Sequence, residues 1–182
     1  MAVSEETYRQ LALEDPDGQW ELHCGVLRRK PSMSFEHNFV VTELFGQLFQ
    51  QLDRSQFDVR SNAGRVKRSA ENYYIPDVYV VPADIVRAHR RQPRSLEAYD
   101  TPLPLVIEVW SPSTGDYDVT TKLAEYQRRG DLEIWLFHPY DRVLTCGRRQ
   151  PDGSYIETRH TSGAISPVAL PAVDIELDTL FE

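Results

Sequence analysis

Two apolar stretches of this chain each contain one acid: residues 75–81 read IPDVYVV and residues 103–110 read LPLVIEVW. Asp77 and Glu108 interrupt β-branched and aliphatic residues that are otherwise typical of a buried strand. An unpaired carboxylate in a protein interior costs several kcal/mol, which is on the order of the whole stability of a domain. The sequence therefore predicts a cationic partner for these acids, either a divalent metal, a lysine or both.

The alternation of side chains along a strand predicts where each acid points. Glu108 shares a face with Val106 and Trp110, whereas Asp77 shares a face with Tyr79. If the two strands are neighbours, both carboxylates can approach one ion. Two hard oxygen ligands, with room for water and a substrate phosphate, are what Mg²⁺ prefers, so we expect a magnesium site here.

A helix is predicted over residues 118–129, closed by Gly130. Its periodicity places Lys122 about 60° from the centre of the apolar stripe, at the edge of the buried face. Lys122 could hold its ammonium near the metal, where it would orient a water molecule and stabilise charge on a phosphate. The alternative is a surface ion pair with Asp118, four residues earlier. The stripe predicted to face the sheet consists of Val119, Leu123 and Tyr126.

The other predicted elements set the fold class. Helical periodicity covers residues 5–13 and 35–52, the second run being preceded by Ser34 as an N-cap. Their order along the chain favours one mixed β-sheet flanked by helices, an α/β or α+β fold. The remaining strand patterns are found at residues 20–28, 57–66, 74–82, 132–138, 142–149 and 155–159.

Length and composition favour one globular domain. The chain has 182 residues, of which 41% are hydrophobic, so residues 1–182 are expected to form a single domain with one sizeable core. No apolar run approaches the roughly 20 residues of a membrane span, which predicts a cytoplasmic protein. Cys24 and Cys146 match no metal or disulfide spacing, and we expect both to be free, mostly buried thiols.

Charge limits the contacts with nucleic acid. A formal net charge of -8 repels nucleic acid at long range unless basic residues gather on one surface. Each basic cluster is most simply a solvated face, although the arginines of residues 87–94 could contact a nucleic-acid backbone. The clusters lie at residues 28–30, 65–68, 87–94 and 148–149.

Together these residues resemble a known family. The quoted acids, the following SPST at residues 111–114, and the YD and KLAEY runs at residues 117–118 and 122–126 look like the Uma-type putative restriction endonucleases. This family is part of the PD-(D/E)XK nuclease superfamily. The similarity extends from residues 20–22 through His37 to Pro139, and so covers most of the chain.

The resemblance implies a restriction-endonuclease-like core in which Asp77, Glu108 and the Val109 carbonyl bind Mg²⁺ or Mn²⁺. The superfamily's pattern has a lysine two residues after the glutamate, where this chain has Trp110. In this family the lysine lies on the following helix, at the position of Lys122.

Two further residues match the family. Glu21 matches an early glutamate that is a further ligand or holds a water, although a lone strand glutamate is as often a cross-strand partner of an arginine. His37 matches a family histidine, to which we assign no role.

Three functions remain open. The first is Mg²⁺-dependent hydrolysis of phosphodiester bonds in nucleic acid, more specifically DNA, by an endonuclease that acts as a homodimer because a duplex has two strands to cut. The second is a noncatalytic binding or assembly module that keeps the nuclease fold; the net charge and the missing in-strand lysine support it. The third is a metal-dependent phosphoesterase acting on small nucleotides.

Overall fold

The computed structural model describes residues 2–181, which form two mixed β-sheets flanked by helices. Two helices, α1 (Glu5–Glu14) and α2 (Phe35–Gln51), come from the first third of the chain. Three consecutive segments, α4 (Gly115–Tyr117), a π-helical turn (Asp118–Lys122) and α5 (Leu123–Arg129), follow one another without a break. The remaining helices are α3 (Ala83–His89) and α6 (Leu177–Leu180).

The larger sheet has six strands in the order β11-β10-β9-β8-β6-β3. All neighbouring pairs are antiparallel except β8 and β9, which are parallel. Because β8 and β9 are parallel, the chain must cross over the sheet between them, and this crossover carries α4 and α5. The strands are β3 (Phe57–Ser61), β6 (Val78–Pro82), β8 (Leu105–Val109), β9 (Glu133–His138), β10 (Val143–Arg149) and β11 (Tyr155–His160).

The smaller sheet has five strands in the order β2-β1-β5-β4-β7. Its first two strands form a hairpin in which Glu21 is opposite Arg28. The strands are β1 (Trp20–His23), β2 (Val26–Arg29), β4 (Arg65–Ser69), β5 (Asn72–Tyr74) and β7 (Ala98–Tyr99). A separate two-stranded ladder joins β12 (Ala164–Ile165) to β13 (Ile175–Glu176).

Apolar side chains cover both faces of the larger sheet. On one face Leu44 and Leu48 of α2 pack with Ile107 and Val109 of β8. On the other face Tyr126 of α5 packs with Val106 of the same strand. The alternation of β8 therefore divides its residues between two apolar clusters, and Glu108 lies on the α5 side.

The mixed α/β class and most helices and strands agree with the sequence predictions. The prediction of one mixed sheet is wrong, because β1, β2, β4, β5 and β7 pair only with one another and form a second sheet. Three further details differ. The predicted strands over residues 57–66 and 74–82 are each interrupted, which adds β4 and β5 to the smaller sheet. The apolar periodicity of residues 35–52 counts Phe35 and Phe49 in the buried face, but these two side chains are 78% and 45% exposed because they lie off the face that packs on the sheet. Cys146 is buried as expected, but Cys24 is exposed in the hairpin.

Within residues 2–181, no helix combines the length and the apolar character needed to cross a membrane.

Candidate active site

The two strand acids lie opposite each other at one end of the larger sheet. In the β6–β8 ladder Val78 is opposite Ile107, and the same register one residue further on puts Asp77 opposite Glu108. Directly opposed residues of an antiparallel pair project from the same face of the sheet. Both side chains are buried, with exposed fractions of 1% and 0%. The structure thus brings together two residues that are 31 positions apart in the sequence.

Asp77 is surrounded by donors. Its Oδ1 lies 2.6 Å from Nζ of Lys30, and its Oδ2 accepts a hydrogen bond from the Val109 amide at 2.7 Å. Nε2 of His37, near the start of α2, lies 3.0 Å from the same Oδ2. Burial alone raises the pKa of Asp77, but the Lys30 charge and the His37 ring outweigh it and hold that pKa well below its ordinary range. Asp77 is therefore ionised at neutral pH.

Lys122 is the second buried cation. Its Nζ lies 3.0 Å from Oε1 of Glu21, 3.4 Å from Oε1 of Glu108 and 3.3 Å from Oδ1 of Asp118. It also donates to the Ile75 carbonyl at 3.3 Å. Burial alone lowers the pKa of Lys122, but the surrounding carboxylates outweigh this effect and raise it well above its ordinary range. Lys122 is therefore a permanent cation and cannot act as a general base at neutral pH.

Glu21 and Glu108 differ in how well their oxygens are satisfied. Glu21 accepts a hydrogen bond at 2.8 Å from the backbone amide of Ile75, which directly follows β5, the neighbour of β1 in the smaller sheet. Glu108 accepts a hydrogen bond from the Tyr126 hydroxyl on Oε1, whereas its Oε2 is buried and has no hydrogen-bond partner. Leaving a buried carboxylate oxygen without a partner costs free energy. Oε2 of Glu108 is therefore an oxygen that could still bind a ligand.

The cluster contains more negative than positive charge. Four buried carboxylates, those of Glu21, Asp77, Glu108 and Asp118, face two buried lysines. With every carboxylate ionised, the two lysines compensate two of the four negative charges. Burial raises the pKa values of Glu108 and Asp118, partly opposed by the Lys122 charge, so protons partly offset the excess.

This excess fits a divalent cation. The unpartnered oxygens are Oε2 of Glu108 and Oδ1 of Asp118, the latter accepting no hydrogen bond although Lys122 is near. Among residues 2–181 no three His, Cys, Asp or Glu side chains form a ready metal cage. Mg²⁺ does not require one, because it is commonly held by one or two carboxylates together with water and substrate phosphates. The donor set is therefore compatible with Mg²⁺ through its oxygen chemistry and its charge.

A cavity of about 190 Å³ opens beside the cluster. Its buried lining includes Glu21, Asp118 and Lys122, whereas Arg28 and Arg29 of β2 line it from the exposed side. Lys30 also lines it, so the cavity reaches both buried lysines. Asp77 and Glu108 do not line the cavity, which meets the cluster at Glu21, Asp118 and the two lysines.

The helix after β8 buries a charged face instead of the predicted apolar one. Val119 is 39% exposed, whereas Lys122 is 1% exposed, so the predicted stripe is wrong at its first position. The π-helical turn over Asp118–Lys122 changes the helical phase, and the 3.6-residue period does not hold across it. Lys122 therefore points into the buried space between this helix and the two sheets. The buried residues of this segment are Asp118, Lys122, Glu125, Tyr126 and Arg129.

Sequence reasoning missed three members of the cluster. Lys30 was grouped with two exposed arginines, Asp118 was considered only as a surface partner of Lys122, and Tyr126 only as a packing residue. The one local feature that distinguishes Lys30 from Arg28 and Arg29 is the proline that follows it, because proline is typical of the end of a strand. The predicted alternative for Glu21, an arginine across the strand, is not its partner: Arg28 is opposite in register, but the ion pair is with Lys122.

Comparisons with known proteins define first the class of fold. The crystal structure of a putative nuclease belonging to DUF820 from Anabaena variabilis superposes with a TM-score of 0.77, covering 98% of this chain and 97% of that chain at 16% identity. The fold is thus a mixed α/β fold shared with that protein. Among curated proteins, none matches the chain.

The sequence then defines the family. The Uma2 family, described as putative restriction endonuclease, matches residues 5–179, and the chain belongs to this family. The match includes both strand acids, the hairpin with Glu21 and the helix with Lys122.

Proposed function

We propose that this protein is a Mg²⁺-dependent endonuclease that hydrolyses phosphodiester bonds of DNA. The observation that carries the proposal is the buried cluster of four carboxylates and two lysines beside a cavity, in which one oxygen of Glu108 has no partner. Membership of a family described as endonucleases supports the reaction class. The assignment of residues to roles rests on the contacts described above.

Asp77 and Glu108 would hold the cation together with the Val109 carbonyl, and Mn²⁺ could replace Mg²⁺. The Val109 amide points to Asp77, and the N–H and C=O of one extended residue lie on the same side of a strand, so the carbonyl faces the same region. A bound Mg²⁺ supplies two effects, a lower pKa for a water molecule and compensation of phosphate charge. The same cation would satisfy the free oxygen of Glu108.

Lys122 has the properties of an electrostatic stabiliser. It is a permanent cation with three donors, held in place by Glu21, Glu108 and Asp118. In a buried site a fixed charge stabilises developing negative charge without any reorganisation during the reaction. Lys122 would therefore orient the attacking water and stabilise the phosphate, and Glu21 would hold Lys122 in position.

One observation favours the noncatalytic alternative. Lys30 already lies 2.6 Å from Asp77, and an ammonium at this position competes with a metal for the same carboxylate. A binding module could use this pair and the Lys122 cluster purely to join its two sheets. The two functions differ in whether the cluster takes up a divalent cation.

Glu108→Gln is the sharpest variant with which to test the function. It removes the charge that binds the cation and keeps the shape of the side chain and an acceptor for Tyr126. We expect loss of Mg²⁺ binding in titration calorimetry and loss of cleavage of supercoiled plasmid DNA, by a factor of at least about 10². Glu157→Gln, the same change at an exposed position on β11, should leave both unchanged.

Two results would contradict the proposal. Cleavage by Glu108→Gln at the wild-type rate would exclude the assigned roles. Wild-type protein that neither binds Mg²⁺ or Mn²⁺ nor cleaves duplex or single-stranded DNA would favour the binding module, and cleavage confined to small nucleotides would favour the phosphoesterase.

A further inference from the structure

Two arginines at the mouth of the cavity have no partner in the part of the chain that the structure describes. Arg28 and Arg29 of β2 line the cavity and are exposed. Neither is in an ion pair within 4.0 Å or donates a side-chain hydrogen bond, although acids outnumber bases by eight in the chain. Unpaired arginines next to a cluster of acids are therefore unexpected on charge alone.

The acid nearest to Arg28 in the strand register is already occupied. Glu21 is directly opposite Arg28 in the hairpin, which is the usual arrangement for a cross-strand ion pair. Its carboxylate instead contacts Lys122 at 3.0 Å. Lys122 thus binds the carboxylate that would otherwise pair with Arg28. The Arg28 guanidinium is left without an ion-pair partner.

Arg28 is nevertheless held in place. Its guanidinium carbon lies 3.8 Å from the centre of the Tyr117 ring, a distance typical of a cation–π contact. Tyr117 lines the same cavity and lies on α4, directly before the turn that carries Asp118 and Lys122. The contact fixes the position of the guanidinium relative to the cluster and leaves its hydrogen-bond donors unused.

A fixed guanidinium with free donors is suited to a phosphate, since its planar fork matches the oxygens of that group. We propose that Arg28, held over the ring of Tyr117, binds a phosphate of the nucleic-acid substrate at the mouth of the cavity. This inference rests on the proposed function, because a cation in the acid cluster attracts the same phosphate from the inner side. Arg28 contacts substrate, whereas Tyr117 is a positioning residue.

The proposed contact between Arg28 and a phosphate can be tested without any cleavage, by measuring the binding of a fluorescein-labelled 20-nucleotide DNA, single-stranded or duplex. Fluorescence anisotropy would be measured with the full chain in Ca²⁺, a hard cation with oxygen ligands, at several salt concentrations. For Arg28→Ala we expect an affinity about tenfold or more below wild type, and a log–log salt slope smaller by about 0.7–0.9. Arg159→Ala, which removes an equally exposed arginine from β11, should change neither quantity.

Two Tyr117 variants separate positioning from general structure. Tyr117→Phe keeps the aromatic face and should bind within twofold of wild type, whereas Tyr117→Leu should lose about as much affinity as Arg28→Ala. Thermal unfolding of each variant checks that the fold is retained. Arg28→Ala is a surface change and should unfold at the wild-type temperature.

The outcomes separate this inference from the proposed function. If wild type cleaves DNA and Arg28→Ala binds it with the affinity and salt slope of Arg159→Ala, the inference is wrong and the endonuclease proposal stands. If wild type fails to cleave while Arg28→Ala loses binding, the phosphate site stands and the endonuclease proposal fails. Equal binding by Tyr117→Leu and wild type would exclude the positioning role.

Discussion

Two buried carboxylates that are neighbours across one ladder have opposite electrostatic environments. Asp77 has a cation or donor on each oxygen, whereas Glu108 shares Lys122 with two other acids and keeps one oxygen unpartnered. Their pKa values accordingly shift in opposite directions, that of Asp77 downward and that of Glu108 upward. The ionised form of Asp77 therefore stabilises the fold, whereas ionisation of Glu108 destabilises it.

Amide substitutions at these two positions should therefore change stability in opposite directions. Asp77→Asn leaves Lys30 buried without an anion, and we expect a loss of about 3 kcal/mol at pH 7. Glu108→Gln removes an uncompensated charge and should gain about 1 kcal/mol at pH 8. Chemical denaturation measures both changes. Asp77→Ala is unsuitable as a test of cleavage, because it leaves the same lysine without its anion.

The pH dependence has a definite sign. The pKa of Glu108 is raised in the folded state, so the protein loses stability as pH rises above the ordinary value of 4.5, and the gain from Glu108→Gln should disappear near pH 4. The pKa of Asp77 is lowered, so its contribution is present above 3.8 and is lost only as pH falls further. A gain from Glu108→Gln that is the same at pH 4 and pH 8 would contradict the raised pKa.

At the scale of elements, the position of Lys122 depends on how α4 meets β8. A side chain on Gly115, the first residue of α4, would collide with Nε1 of Trp110. Trp110 follows β8 directly and stacks on His138 at the end of β9, with ring centres 4.3 Å apart. The close approach of Gly115 to this ring therefore sets where the buried charged helix begins.

Gly115→Ala should displace α4 or the Trp110 ring. We expect a loss of about 1–3 kcal/mol of stability, from overpacking, and lower DNA cleavage because Asp118 and Lys122 move with the helix. Gly46→Ala is the matched control: it lies inside α2 with no atom within 4 Å of the added carbon, and should gain about 0.5–1 kcal/mol. Equal effects of the two substitutions would contradict the packing argument.

At the scale of the whole molecule, the acid cluster joins the two sheets. Glu21 comes from the smaller sheet, Glu108 from the larger one and Lys122 from the crossover between β8 and β9. A cation in this cluster would therefore stabilise the packing of all three. That residues 1–182 act as one domain and that the protein is a homodimer stay predictions, which limited proteolysis and light scattering measure.

Mg²⁺ should accordingly raise the thermal unfolding temperature of the wild type relative to EDTA. At a concentration one hundred times the dissociation constant the gain is about 2.7 kcal/mol of unfolding free energy. Differential scanning calorimetry measures the shift, which should vanish in Glu108→Gln and persist in Glu157→Gln. An identical shift in both variants would place the bound ion elsewhere.

The arginines of residues 87–94 lie far from the acid cluster in the fold, which their position along the chain does not reveal. Arg87 and Arg90 line a groove of about 460 Å³ next to β3, beyond the end of β6 that is remote from Asp77. The two ends of β6 are separated by five strand residues, which corresponds to roughly 16 Å. A role in contacting nucleic acid stays a prediction for this groove, whereas Arg28 and Arg29 lie at the cavity itself.

Hydrophobic periodicity and buried charge are local signals, so they were enough to predict the mixed α/β class, most helices and strands, and the two acids that need a cationic partner. Which cations meet those acids depends on tertiary contacts. Lys30, Asp118 and Tyr126 join the cluster through contacts between distant segments, and a π-helical turn shifts the phase on which the position of Lys122 was predicted. Periodicity describes a regular helix, so it cannot foresee where that regularity is broken or which distant side chain is opposite.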